Sequence, residues 1–176
     1  MQLFQGTRQR FEKFDVSFMG TGEAGEIPAC WFTDNFKGAR HHALRVNHNP
    51  GQALVYQCGL KPGAIIADYS KPLTEQPAVY DRLIAGLPVI ISSNLSTGRD
   101  WHLLNSPYYG NHKGRVWYQG IRCKADATII TLFRKCGIHG VHDWELHNTD
   151  AHYQGPTIVI FDTEILEIQD IVEVHY

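Results

Sequence analysis

No stretch of this sequence is apolar for long enough to cross a bilayer as a helix, which takes about 20 residues, so no membrane partner is expected. It has no surplus of basic charge: 16 Lys and Arg stand against 18 Asp and Glu, for a net charge of −2 and a pI near 6.5. A dedicated nucleic-acid binder usually carries a basic stripe, and this chain shows none. Its four cysteines (Cys30, Cys58, Cys123, Cys136) are widely spaced and form no CxxC pair. They read as reduced thiols in a cytosolic protein, not as a disulfide framework or a zinc ribbon. The opening Met1-Gln2-Leu3-Phe4-Gln5-Gly6 has no basic region leading into an apolar stretch, so no secretory signal is expected. Repeats and low-complexity tracts are also missing. What remains is a chain of 176 residues, 43% hydrophobic and 11% aromatic, which is enough for one domain (residues 1–176) with its own core.

The closing segment, Cys136 to Tyr176, organises the rest. Gly137 follows an apolar-periodic run, Ala125 to Phe133, and reads as a helix stop, because glycine takes positive φ without strain. Thr157-Ile158-Val159-Ile160-Phe161 is a continuous apolar run rich in β-branched residues, which suits a strand buried on both faces. Between them lie His139, His142, Asp143, Glu145, His147, Asp150 and His152, with a turn at Gly155-Pro156. A rigid strand that carries polar groups to its end is a good place for a site.

Upstream, residues 2–5 read as a short strand ending at Gly6-Thr7, and Phe11, Phe14 and Phe18 as anchors pinning a polar loop of residues 8–26 to the core. Pro28 to Thr33 reads as a second strand, and Asp34 as the N-cap of a helix over about 35–46. Ala53–Cys58 and Gly63–Asp68 are strand-like, and Lys71 to Gly86 is helical, entered through Pro72 or Pro77. Val89-Ile90-Ile91 is short and apolar. A short helix near Arg99–Asn105 and an aromatic cluster (Tyr108, Tyr109, Trp117, Tyr118) fall in a middle segment that pattern reading resolves poorly. The last strand covers about 165–174. The expected class is α+β, with two mainly antiparallel sheets and two to four helices.

Four segments, in this order, carry a resemblance. Phe4-Gln5-Gly6-Thr7 with Phe11, Phe14-Asp15 and Gly20-Thr21-Gly22-Glu23 looks like an "HGT…F…FD…GxGE" opening. Trp31-Phe32-Thr33-Asp34-Asn35 with Ala39 is similar to a "YF-x-D/E-n…A" strand-to-helix segment. Leu54-Val55-Tyr56, then Ile66-Ala67-Asp68, then Lys71-Pro72-Leu73-Thr74-Glu75-Gln76 matches a "VY…l-x-wD-x-pl-x-eQ" stretch. Cys136-Gly137-Ile138-His139-Gly140-Val141 with Ile158-Val159-Ile160-Phe161-Asp162 looks like a "GIpGI…NYVVFD" close. Together they span most of the chain and resemble the ADP-ribosyltransferases, in particular the small type in polyvalent proteins of phages and mobile elements. The resemblance implies an ADP-ribosyltransferase-like split sandwich and NAD as substrate. It also implies ADP-ribose transfer to a host protein or nucleic acid in the bacterial cytoplasm.

The same resemblance places Gly6 and Thr7 at the nicotinamide, Gln5 at the adenosine ribose, and Trp31 and Phe32 along the ring pocket. Arg8, Arg10, Arg40 and Arg45 are candidates for the pyrophosphate, with Arg8 the one assigned, because a guanidinium offers a forked donor set to phosphate, and His41 is a further cofactor-binding candidate. Three positions depart from the pattern: Gln5 replaces the usual histidine, Trp31 a tyrosine, and Thr157 stands where a branch of the family has its catalytic glutamate. A threonine offers no charge to a cationic ribose, so Asp143, Glu145 and Asp150 are the candidate catalytic acids. The departures keep open a second reading, an inactive member of the fold that serves as a binding module or inhibitor. A third is a metal-dependent hydrolase built on His139 and His142 with Asp143. Residues three apart on a strand face opposite ways, so the two histidines share a metal only if they lie on a loop, and no metal ligand is assigned.

Overall fold

The computed structural model describes residues 1–18, 27–45, 50–87, 89, 92, 129–145 and 155–176. Seven strands are present among them: β1 (Gln2–Thr7), β2 (Cys30–Thr33), β3 (Leu54–Leu60), β4 (Ile66–Asp68), β5 (Gly140–His142), β6 (Thr157–Ile160) and β7 (Leu166–Glu173). Helix α1 covers Phe36–Arg45, α2 covers Pro77–Gly86, and α3 is helical over 129–135. The protein is α+β. No described helix is long and apolar enough to cross a membrane.

The expectation of two sheets is corrected. All seven strands form one sheet in the order β4-β5-β6-β2-β1-β3-β7. The pairings are antiparallel except β4 with β5, which run parallel from Ile66↔Gly140 to Asp68↔His142. The reason is one junction. β1 follows β3 along its whole length, Gln2↔Gly59 to Thr7↔Leu54, and β2 follows β6 from Cys30↔Ile160 to Thr33↔Thr157. Between β1 and β2 a single pair, Phe4↔Thr33, joins the two groups. The sheet is continuous there and split elsewhere along that seam.

Both faces are covered. On one, α1 lies on β1 and β3 through Ala39, Ala43 and Leu44 against Phe4, Val55 and Val174. On the same side of the other group, α2 and α3 bring Val79, Leu83, Ile130 and Phe133 onto Ala67, Val141, Val159 and Phe161. The opposite face is one cluster of Leu3, Phe32, Tyr56, Cys58, Ile158 and Ile160 that reaches Ile66 on β4 and Leu166 on β7. Phe11 and Phe14 close it: Phe11 stacks on Tyr56 with ring centroids 4.3 Å apart, and Phe14 packs against Phe32 at 5.0 Å. The Tyr56 hydroxyl accepts the Phe11 amide at 2.7 Å and donates to the Phe11 carbonyl at 2.9 Å. These two phenylalanines anchor the loop as its sequence implies. β6 is buried at every position, with Ile158 and Ile160 in one cluster and Val159 in the other.

Boundaries follow local chemistry. α1 is capped by Asn35, one residue later than expected: its side-chain oxygen accepts the Lys37 amide at 2.9 Å, while Thr33 Oγ1 accepts the Asn35 amide. α2 starts at Pro77, where a missing N–H costs nothing, and the residues before it form a 3-10 turn, Leu73–Glu75. β4 starts later than Gly63 because Gly63, at φ 85, belongs to the preceding turn. α3 stops as expected: Gly137 has φ 68, with Gly137 N–H on the Arg134 carbonyl and Ile138 N–H on the Phe133 carbonyl. That pair of bonds is the Schellman closure. The readings for Gly20–Glu23, Ile90-Ile91, Arg99–Asn105 and the aromatic cluster at 108–118 lie outside the described residues, as does Cys123.

Candidate functional site

Of the residues implied for NAD, Gln5, Gly6 and Thr7 lie on β1 and Trp31 and Phe32 on β2, the two strands that meet at a single pair. Continuing the Phe4↔Thr33 register would set Gly6 against Trp31, but the strands are not paired there. Gly6 and Thr7 therefore have a strand neighbour on the β3 side alone, among the described residues. A backbone edge inside a sheet is a ready hydrogen-bonding surface. Each bank also carries a buried side-chain atom with no partner among the described residues: Gln5 Oε1 on β1 and Trp31 Nε1 on β2. One is an acceptor and the other a donor. A buried polar atom without a partner costs about 1–3 kcal/mol, so each suits a hydrogen bond to a ligand; by strand alternation Gln5 shares the face of Leu3 in the central cluster while Trp31 lies on the α2–α3 face, so the two look to opposite sides of the sheet.

Gly6 is required for a further reason. A Cβ there would collide with the Ala39 carbonyl oxygen and lie 2.7 Å from Ala43 N, so α1 rests directly on the β1 backbone. Thr7 Oγ1 accepts the Gln9 amide at 3.1 Å. Trp31 and Phe32 point to opposite faces: Phe32 is in the central cluster, and Trp31 is half-buried beside the α2–α3 cluster. They do not line one pocket together.

Arg8 is engaged elsewhere. Its Nε, Nη2 and Nη1 donate to the carbonyls of Ala43 (3.1 Å), Leu44 (3.2 Å) and Gly51 (3.2 Å). This satisfies the C-terminal carbonyls of α1, which a helix leaves open. The guanidinium thus ties β1, α1 and the 50s loop together. His41 is exposed on α1.

The three candidate acids separate clearly. Asp143 is 2% exposed and has φ 57, an uncommon conformation that aspartate tolerates better than most residues. It turns the chain out of β5. Glu145 follows, and its Oε2 accepts the Thr157 hydroxyl at 3.0 Å. Asp150 lies outside the described residues. Thr157 and Thr33 were not singled out as a pair from the sequence, because two threonines on separate strands give no local signal. The fold sets them opposite each other, and Thr33 also faces Phe4.

The histidines serve different partners. His139 Nδ1 accepts the Ile65 amide at 2.9 Å, and its Nε2 is 3.9 Å from Asp162. His142 Nδ1 lies 2.9 Å from Asp68 Oδ1. Among the described residues, no group of three or more His, Cys, Asp or Glu could hold a metal ion. Asp68 is a second charged centre. Burial works against its ionisation, but hydrogen bonds from Ser70 and His142 outweigh that and bring its pKa down to about 2. Cys30 and Cys58 are free. Burial pushes their thiols up, to about 11 and about 12, with the Asp15 charge adding to Cys30 and Cys30 adding to Cys58, so neither is poised as a nucleophile. No protein family, curated protein or solved structure was found to match this chain.

Proposed function

We propose that the chain is an NAD-dependent ADP-ribosyltransferase with the ADP-ribosyltransferase fold. NAD would sit in the split between β1 and β2 and donate ADP-ribose to a host macromolecule. Two lines support the reading. The four motif-like segments occur in order along the sequence, and the residues they assign to NAD, from Gln5 to Thr7 and at Trp31, flank the one seam where the sheet is not zipped. The seam is the observation that carries the proposal. Cleaving a nicotinamide–ribose bond needs little covalent chemistry from a protein. It needs the leaving ring held by its carboxamide, which both donates and accepts hydrogen bonds, and a negative charge near the ribose as positive charge develops. Trp31 Nε1 and the Gly6–Thr7 edge suit the first need; Gln5 Oε1, on the opposite face of the sheet, does not share it. Glu145 suits the second.

The phage-type resemblance sets the acceptor among macromolecules of a bacterial host, and the site of action in its cytoplasm. The test is calorimetric titration of NAD into the protein, with nicotinamide release followed in the same sample and host lysate as acceptor source. Binding with release is the expected result. Absence of binding would remove the reading.

A second reading keeps the fold and the NAD site but not turnover: a binding module or inhibitor. The Arg8 cap favours it, because that guanidinium is bonded to three carbonyls and is not directed at a pyrophosphate. Binding without release, with lysate present, selects it.

A further inference from the structure

β4 and β5 are the parallel pair in the sheet, and they stop together: Asp68 and His142, the last residue of each, are opposite one another in register. The chain turns away after each of them. Ser70 folds back on Asp68, and Asp143, at φ 57, leads out of β5. The two side chains stay at the strand ends, each 16% exposed, with His142 Nδ1 2.9 Å from Asp68 Oδ1. Asp68 is fixed by its own neighbourhood. Ser70 donates to Oδ1 from its amide and its hydroxyl, and Gln76 holds the Asp68 amide and carbonyl. The carboxylate is ionised at neutral pH, because those hydrogen bonds hold its pKa down at about 2. An ionised carboxylate only accepts, so the facing Nδ1 carries the proton, and in the neutral ring Nε2 keeps the lone pair. Nε2 has no partner among the described residues, and it is not shut off from solvent. The lone pair is open to an incoming group. Lys71 Nζ lies 3.3 Å from Asp68 Oδ2, on a side chain 58% exposed. A compact positive charge thus stands beside the same carboxylate.

We infer that His142 is a nucleophile that takes a phosphoryl group on Nε2 from a small anionic donor of the acyl phosphate class, with Asp68 as its positioning residue and Lys71 as the counter-charge. The inference is independent of the NAD reading. In the step, the Nε2 lone pair forms a bond to phosphorus. The bond from phosphorus to the acyl oxygen breaks, and its electron pair leaves with the carboxylate. The ring keeps its Nδ1 proton and becomes cationic, and Asp68 stays ionised opposite it. With acetyl phosphate the products are acetate and phosphohistidine, and no proton is taken up or released. Histidine is an established type of covalent nucleophile. Two charges set the preference for a phosphoryl group here. Lys71 meets the negative charge that arrives, and Asp68 meets the positive charge that develops on the ring.

The experiment is incubation of the whole chain with acetyl phosphate, with the phosphorylated histidines located by mass spectrometry of peptides kept at alkaline pH. The ten histidines of the sequence are read in one sample. The expected result is a phosphoryl group on His142, formed about tenfold faster than on His41 and His175, which are exposed; that factor is the scale of one hydrogen bond to a charged group. Asp68→Asn brings the His142 rate down to that of His41 and His175 and leaves theirs unchanged. Nitrogen NMR of the same variant shows the ring proton no longer confined to Nδ1, a change that a merely structural role for Asp68 would not produce. Lys71→Gln, at a side chain that is mostly in solvent, slows His142 roughly two- to fivefold. No phosphoryl group on His142, or one spread over the exposed histidines at equal rates, overturns the inference. So does an Asp68→Asn variant that is phosphorylated on His142 like wild type. If Asp68→Asn does not fold, Lys71→Gln decides: a His142 rate equal to wild type overturns the counter-charge and the anionic donor with it.

Discussion

At the residue scale, two polar side chains hold the chain around β4. Asp68 accepts from the Ser70 amide at 3.0 Å and the Ser70 hydroxyl at 2.5 Å, with His142 Nδ1 at 2.9 Å and Lys71 Nζ at 3.3 Å. Its folded pKa, about 2, lies below the ordinary value of 3.8. Its contribution is therefore present above about pH 3.8 and is lost as pH falls toward 2. Asp68→Asn is expected to be less stable than wild type at pH 7, with the gap closing between pH 4 and 2. Urea midpoints at pH 7 and pH 2.5 check this, and an unchanged gap would count against it. Gln76 is the second. Its Oε1 accepts the Asp68 amide at 2.8 Å, and its Nε2 donates to the carbonyls of Asp68 (2.8 Å) and Lys71 (3.1 Å). It closes the loop between β4 and α2 as an internal clasp. Gln76→Ala leaves those groups unmet and is expected to cost about 1–3 kcal/mol in denaturant unfolding; a cost near zero would show that water replaces the clasp.

The α1–β1 contact is the most demanding at the element scale. α1 has small residues where it meets the sheet, with Gly38, Ala39 and Ala43 buried, and Gly6 opposite them. A methyl at Gly6 meets backbone atoms of α1, which cannot swing aside as a side chain would. Gly6→Ala is expected to destabilise the fold by about 2 kcal/mol or more, through displacement of α1. Thermal unfolding of the variant measures it, and a stability equal to wild type would mean that α1 rides higher on β1 than described. The C-terminal end of α1 depends on distant residues: Arg8 caps it from β1, and the Tyr176 hydroxyl donates to the Leu44 carbonyl at 2.8 Å. Neither link has a local signature. In the sequence Arg8 looks like a phosphate ligand, because the forked donors of a guanidinium suit phosphate oxygens and helix-end carbonyls alike.

At the scale of the whole molecule, the single Phe4↔Thr33 junction joins two strand groups into one sheet while the flanking residues stay apart. A ligand in that seam would bridge the groups and add contacts that the free protein lacks. NAD at about 100 times its dissociation constant is therefore expected to stabilise the fold by about 2.7 kcal/mol. For a chain of this size that is a rise in melting temperature of roughly 5–10 °C. A melt with and without NAD reads it directly. Adenosine alone and nicotinamide alone should each give a smaller rise, since each spans less of the seam. No rise with NAD would argue that the seam is closed to it.

Period and punctuation alone determined much of the architecture. The β-branched run at Thr157–Ile160 and the largely apolar run at Leu54–Cys58 suit buried strands; Pro77 sets the start of α2; Gly137 ends α3 through its positive φ. These effects act between residues close in the chain, so a linear reading finds them. The tertiary structure decided the rest. A hydrophobic pattern says that a strand is buried without saying which strand lies beside it. The number of sheets therefore came down to the one pair Phe4↔Thr33. The surroundings of the candidate acids were equally non-local. Asp143 and Glu145 are two residues apart and chemically alike, but the turn at Asp143 buries one and sets the other on the hydroxyl of Thr157. That hydrogen bond joins residues twelve apart, brought together by the antiparallel return of β6 along β5, a geometry that exists only once the sheet has formed.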